Sequence, residues 1–213
     1  MAETDHDFIR ALLPDWVEDD ERLLDGLEEF EALIRKWSAT QNLVSRETLP
    51  DIWQRHFGDS LQLLTLMNSQ PAHLLDLGSG GGFPAIPLAL AAPATRITLV
   101  DSNQKKAAFL REAARQLKLD VEVLCARVEI FDTGSFPDLD LITSRGFAPL
   151  KDLFGYCAPL WKSETRALFH KGRQFRSEVT EALSQWRCDL VEHRSLIETD
   201  SVILDIQRLE ARR

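Results

Sequence analysis

No stretch of this 213-residue chain is apolar for long enough to cross a bilayer, and no signal-peptide pattern follows Met1. Both absences set the expectation of a cytoplasmic protein with no membrane partner. Cysteine is scarce: Cys125, Cys157 and Cys188 are odd in number and far apart. That excludes a disulfide framework and suits buried, reduced thiols. The five histidines show no metal-ligand spacing with one another or with the cysteines, so no metal is expected. Internal repeats and low-complexity linkers are missing as well. Positive charge is in deficit, with a net charge of −9, which on its face argues against a nucleic-acid partner. The distribution weakens that argument: residues 1–34 hold twelve acids and two bases, leaving 22 acids against 23 bases in the other 179 residues. A near-neutral body can present a basic face.

What the chain does have is a core-sized apolar fraction of 44% and a cluster of glycines. In LLDLGSGGGFPAIPL, residues 74–88, a short apolar run suited to a strand buried on both faces leads through Asp76 into Gly78, Gly80, Gly81 and Gly82. Pro84 and Pro87 follow at the start of a helix, where a missing N–H had no partner to lose. A ligand lying against backbone leaves no room for Cβ atoms, and free N–H groups at a helix start receive a negative group. The alternative, a merely tight turn, leaves the density of glycines unexplained. A dinucleotide fingerprint requires a small residue where Phe83 stands. The G-x-G-x-G pattern with a bulky neighbour suits S-adenosyl-L-methionine better than a pyrophosphate.

Around this stretch the chain reads as alternating elements. A small helix is expected around 8–13, ended by Pro14, and an amphipathic helix from Asp19 with Leu23, Leu27, Phe30, Ile34 and Trp37 inward. A second such helix follows Pro50, burying Ile52 or Trp53, Phe57, Leu61 and Leu64. Strands are expected at 73–77, 96–100, 121–125, 139–143, 165–170, 188–193 and 201–209, the last antiparallel. Asp101 ends the second strand 23 residues after Gly78, the spacing at which a carboxylate takes a ribose diol; a helix N-cap is the alternative. The helix over 104–117 leaves Lys105, Lys106, Arg111, Arg115 and Lys118 outward, a phosphate-contact face or a solvated one. Arg46, Arg55 and His56 lie near one another in sequence, with a packing role the alternative for His56. The fold expected is α/β and Rossmann-like, with a seven-stranded, mostly parallel sheet. Residues 1–68 form an N-terminal helical extension and 69–213 the Rossmann-like domain.

The blocks KWSATQNLVSRET, RHFGDS, DLGSGGGFPAIPLAL, VDSNQKKAAFLREAARQL, ARVE, ITSRGFAPL and HKG stand in an order that resembles the RsmG family. These are the bacterial small-subunit rRNA guanine-N7 methyltransferases, also called glucose-inhibited division protein B. The resemblance implies a class I S-adenosylmethionine-dependent methyltransferase acting on a guanine in the 530 loop of 16S rRNA, within the small subunit or its assembly intermediate, as a monomer. It implies that Gly78, Gly80, Gly82 and Phe83 line the methionine and ribose end of the cofactor, Asp101 takes the ribose, and Val128 and Glu129 flank the adenine. Arg145 matches the family's S-R-A-F arginine at the cofactor–substrate junction and is the expected catalytic residue, also counted among the cofactor-binding ones, orienting the substrate and either the cofactor's carboxylate or the RNA phosphate. Arg46, His56, Lys105, Lys106, Arg111 and Lys171 are the RNA-contact candidates. Gly81 stands where the family usually has alanine or proline.

Guanine N7 has a lone pair and no proton, so no general base is expected, only alignment in a water-poor pocket. The rivals are a methyltransferase for another RNA or for a small molecule, a nicotinamide-dependent oxidoreductase, and a non-catalytic RNA-binding assembly factor. A lid segment would favour the small-molecule enzyme and is missing; Phe83 argues against the oxidoreductase. Failure to bind S-adenosylmethionine would favour the assembly factor.

Overall fold

Short apolar runs flanked by turn residues become strands β1 (His73–Leu77), β2 (Arg96–Val100), β3 (Val121–Leu124), β4 (Leu141–Arg145) and β5 (Arg166–Lys171) of the computed structural model, which describes residues 2–130, 136 and 138–212. These five are parallel. β6 (Trp186–Arg194) and β7 (Val202–Ala211) complete a sheet of order β3-β2-β1-β4-β5-β7-β6, in which β7 runs antiparallel to both its neighbours. The chain leaves β1 in one direction and returns through β4 in the other. Their carboxyl ends therefore open the crevice where ligands bind in such sheets.

Register decides what meets there. Leu77 pairs with Val100 on one side and with Ser144 on the other, so Gly78, Asp101 and Arg145 emerge together at one edge. Arg145 in turn pairs with His170, which brings the end of β5 to the same edge.

The two faces of the sheet are packed differently. On one face, α6 (Leu150–Cys157) and α7 (Phe175–Gln185) bury Leu75, Leu77, Ile142 and Phe169. On the other, α4 (Ala85–Ala91) and α5 (Gln104–Gln116) share one core with α2 (Asp20–Ser38) and the segment 52–66. Phe30 of α2 is central to it, packing on Phe57, Phe83 and Phe109. The acids Glu21, Asp25, Glu28 and Glu29 stay in solvent on the outer face of α2. No helix among the described residues is long and apolar enough to cross a membrane.

Several boundaries differ from the sequence expectation. α1 spans Ala2–Arg10, earlier than 8–13, and residues 12 and 13 close in tight i→i−3 bonds, as suits a residue preceding proline. β4 begins two residues late. Leu139 is buried but outside the strand ladder, its carbonyl accepting from Thr165 Oγ1, and the strand carries polar Ser144 into the core because its hydroxyl donates to Leu77 O at 2.9 Å. Cys125 is exposed rather than buried, since β3 is an edge strand. The helix after Pro50 is not regular: a π-helical turn, Trp53–Gly58, runs through α3 (Asp59–Leu61) into a 3₁₀ turn, Gln62–Leu66. Ile52 and Trp53 are both buried together with Phe57. The step from Ile52 to Phe57 is one residue longer than an α-turn provides, and the wide turn absorbs it.

Candidate functional site

At the carboxyl edge two basins lie side by side. The first, of about 340 Å³, is lined by Gly78, Asp101, Lys106, Val128, Glu129 and Phe147 among others. Gly78 has φ +73°, and a Cβ there would stand 2.4 Å from the Phe147 ring, so glycine is required twice over. Asp101 is not the helix cap. Asn103 caps α5, accepting from Lys105 N and Lys106 N, while Asp101 accepts from Gly80 N at 2.9 Å and from Asn103 N at 2.8 Å. The carboxylate thus straps the glycine loop to the end of β2 and keeps lone pairs free for a diol.

Beneath the loop lies Asp76, fully buried. Its Oδ1 accepts from Thr143 Oγ1 at 2.8 Å, but its Oδ2 has no partner among the described residues. Burial pushes its pKa up to about 7, against the pull of the Ser79 and Thr143 hydroxyls. A buried, orphaned carboxylate oxygen at the foot of a backbone cradle asks for a cationic or proton-donating partner. S-adenosylmethionine offers an ammonium together with a ribose diol, and this donor set fits both.

The second basin, of about 460 Å³, shares Gly146 and Phe147 with the first, and its walls include Asp59, Arg145, His170, Lys171, Glu178 and Glu198. Arg145 is the last residue of β4 and is clamped from the N-terminal side. Its Nη1 donates to Asp59 Oδ2 at 2.9 Å and to Arg55 O at 3.3 Å, and its Nη2 to His56 Nδ1 at 2.6 Å. The guanidinium also lies 5.0 Å from the centre of the Phe83 ring. Because arginine can only donate, His56 Nδ1 must accept, which puts the ring proton on Nε2 toward Thr48 Oγ1 at 2.8 Å. Burial, reinforced by Arg145, lowers the His56 pKa to about 3, so the ring is neutral. Gln62 binds the other oxygen of Asp59 at 2.7 Å and accepts from Leu196 N, tying the β6–β7 loop to the same network. His170 Nε2 donates to Asp59 O at 2.7 Å; burial lowers its pKa as well.

Not every sequence candidate is where it was expected. Gly78, Asp101, Val128 and Glu129 line the first basin, whereas Gly80, Gly82 and Phe83 do not. Phe83 is 4% exposed and packs on Phe30, Phe57 and His56, because an apolar ring at this point closes the core beneath the N-terminal layer. A Cβ on Gly82 would likewise point at Ile86 and Phe30. Two RNA-contact candidates are buried instead. His56 serves Arg145, and the Lys171 ammonium is held at 2.7 Å by both Glu178 and Ala148 O. Lys106 lines the first basin. Arg46, Lys105 and Arg111 remain exposed, although Arg111 donates to Val123 O at 3.1 Å.

Sequence reasoning passed over Asp76, Asp59 and Phe147. An acid inside an apolar strand was the available signal for the first. Asp59 sits three residues after His56 in RHFGDS, but only the fold gives it Arg145 as partner. Phe147 is 39% exposed at the ridge between the basins.

A family model described as rRNA small subunit methyltransferase G matches residues 24–204. Proteins named Ribosomal RNA small subunit methyltransferase G from Bartonella tribocorum and Rhizobium meliloti are each 44% identical to this chain over 192 residues, covering 88% and 87% of it and 89% of each relative. The solved structure of an SAH-bound Podospora anserina methyltransferase superposes with a TM-score of 0.59 at 15% identity, over 86% of this chain and 88% of that one. At that identity the likeness is one of fold, Rossmann-like and class I.

Proposed function

This chain belongs to the rRNA small subunit methyltransferase G family, and from that premise we propose that it methylates N7 of a guanine in the 530 loop of 16S rRNA. It is an S-adenosylmethionine-dependent rRNA methyltransferase. The observation that carries the reading is the meeting of two basins at Gly146 and Phe147, one bounded by the Gly78 turn and the Asp101 carboxylate that ends the second strand, the other by the clamped Arg145. The proposed substrate is the small subunit or its assembly intermediate, because the target loop lies within folded RNA. The proposed place of action is the cytoplasm.

When bound, S-adenosylmethionine supplies a methyl group on a positively charged sulfur. The chain's own residues then have four tasks. Gly78 lets backbone lie against the ligand, and Asp101 takes the ribose diol. Asp76 Oδ2, buried beneath the glycine loop and outside the lining of either basin, would offset the ammonium's charge from behind that loop, while Val128 and Glu129 would flank the adenine. Guanine N7 needs no residue to remove a proton, and His56 is in keeping with this, neutral and bonded at both ring nitrogens; His170, its pKa lowered by burial, gives its Nε2 proton to Asp59 O. Arg145 orients the acceptor. The buried strand ends and the Phe83 ring close the floor beneath the place where the two ligands meet.

The test is tritiated methyl transfer from S-adenosylmethionine to 30S subunits lacking the modification, with naked 16S rRNA alongside. Label mapping to N7 of a 530-loop guanine is the expected result. Cofactor binding without label in that loop would redirect the reading to another acceptor, and no cofactor binding would leave an RNA-binding assembly factor.

A further inference from the structure

The N-terminal helical segment completes the acceptor side. We propose that His56 and Asp59, presented by and just after the π-helical turn, are positioning residues that fix the orientation of Arg145 and cancel its charge, so that it faces the acceptor base and not a phosphate. This rests on the proposed methyl transfer and specifies how its acceptor is aligned.

Four observations converge. The arginine is held by three separate acceptors, Asp59 Oδ2, Arg55 O and His56 Nδ1, all from residues 55–59, so its direction is set by another part of the chain from the strand that carries it. Arg145 and Asp59 form an ion pair at 2.9 Å with side chains only 19% and 11% exposed, so the positive charge is matched at contact distance where screening is weak. An arginine that anchors phosphate keeps its net charge available. Of the five guanidinium N–H groups three are directed to these acceptors, and the two left suffice for a neutral acceptor on a base. Finally, the clamp is itself braced: Thr48 fixes His56, Gln62 fixes Asp59, and the Phe83 ring lies beneath the guanidinium. The π-turn has a chemical consequence here. By carrying one extra residue it places the Arg55 carbonyl, His56 and Asp59 toward one point.

The experiment compares wild type with His56→Phe, which keeps a ring against Phe83 but has no acceptor, His56→Asn, which restores an acceptor near the Nδ1 position, and Asp59→Asn, which removes the charge. Turnover on 30S subunits, S-adenosylhomocysteine affinity and the ¹⁵N signals of the Arg145 guanidinium are read on each full-length chain. The expected result is a loss in kcat of at least about tenfold for His56→Phe and Asp59→Asn, with RNA KM and S-adenosylhomocysteine affinity within about threefold of wild type. His56→Asn should recover most of the loss. In an Arg145→Ala background His56→Phe should cost nothing more, since the two act as one unit. The salt dependence of RNA binding should be the same for Arg145→Ala as for wild type. Guanidinium signals that are resolved in wild type and averaged in His56→Phe would read the clamp without reference to activity.

Wild-type kcat in His56→Phe with unaltered guanidinium signals overturns the proposal. So do additive losses in the double variant, or a salt slope that falls by about one when Arg145 is removed, which marks a phosphate contact. A wild-type chain that transfers no label overturns the proposed function alone, because the guanidinium signals still decide whether Arg145 is clamped.

Discussion

The two basins at the sheet edge are neighbours built by opposite means. The cofactor side is assembled from four adjacent strand ends and the loops that follow them, and its central feature is backbone: a glycine loop strapped by Asp101. The acceptor side draws on residues 48–62, 145–149, 170–178 and 195–201, and its central feature is side chains paired with one another. A ligand gripped by backbone needs small residues at fixed spacing. An arginine aimed by histidine and aspartate needs only that the fold bring them together, at any spacing.

That contrast predicts that damage on each side will have a different kinetic signature. The largest effect is expected at Arg145. Arg145→Lys keeps a charge beside Asp59 but loses the fork that also reaches His56, and turnover should fall about a hundredfold while S-adenosylhomocysteine affinity measured by calorimetry stays within about threefold. A comparable loss of cofactor affinity would merge the two basins into one functional unit. Next comes Gly78→Ala, whose Cβ must displace the Phe147 ring at 2.4 Å and adopt φ +73°. Cofactor affinity should weaken by roughly 10- to 100-fold, matching about 1–3 kcal/mol of strain, with the guanidinium signals of Arg145 unchanged.

A subtler effect separates the sides by pH. Asp76 has its pKa raised to about 7 in the fold, so the native state holds a proton that the unfolded chain releases, and Asp76 makes stability decline as pH rises from about 4 to about 7. His56, lowered to about 3, does the reverse: its contribution is complete above about 6.5 and is lost as pH falls toward 3. Denaturant titrations across this range should show Asp76→Asn removing the first trend and His56→Asn the second. Because a cationic ligand group favours the charged carboxylate, cofactor affinity should also rise with pH up to about 7 in wild type but not in Asp76→Asn. The smallest effect is expected for the exposed bases outside both basins. Lys105→Ala should raise the KM for 30S subunits only about two- to threefold, with a shallower salt dependence and unchanged kcat. No change in salt dependence would remove the outer face of α5 from the RNA surface.

The difference in construction also explains what could be read in advance. The strand ends at Leu77 and Val100 and the acid after β2 were legible, because a strand buried on both faces is a continuous apolar run and its ligand-bearing end is the first polar or glycine residue after it. Phe83 was placed at the cofactor by the family resemblance, but here the bulky apolar ring goes to the core, where it packs on Phe30 and Phe57. His56 and Lys171 misled in the opposite direction. A basic residue in isolation reads as a surface group, and only long-range partners such as Arg145 and Glu178 make its burial tolerable. The π-turn left no signal in the sequence, since a regular helix would also hold Ile52, Trp53 and Phe57 within one arc of about 140°.

By itself the sequence determined the sheet, the glycine cradle, Asp101 at its edge and, through ordered motifs, the family, since each depends on local spacing that any chain with these residues must express. The tertiary structure decided which charges are cancelled, which histidines are neutral and where Arg145 points. Those properties depend on pairs such as Asp59 with Arg145, 86 positions apart, whose distance is set by packing α2 and the segment 52–66 against the sheet. Burial and counter-charge have no period along a chain; they exist only once the core has closed.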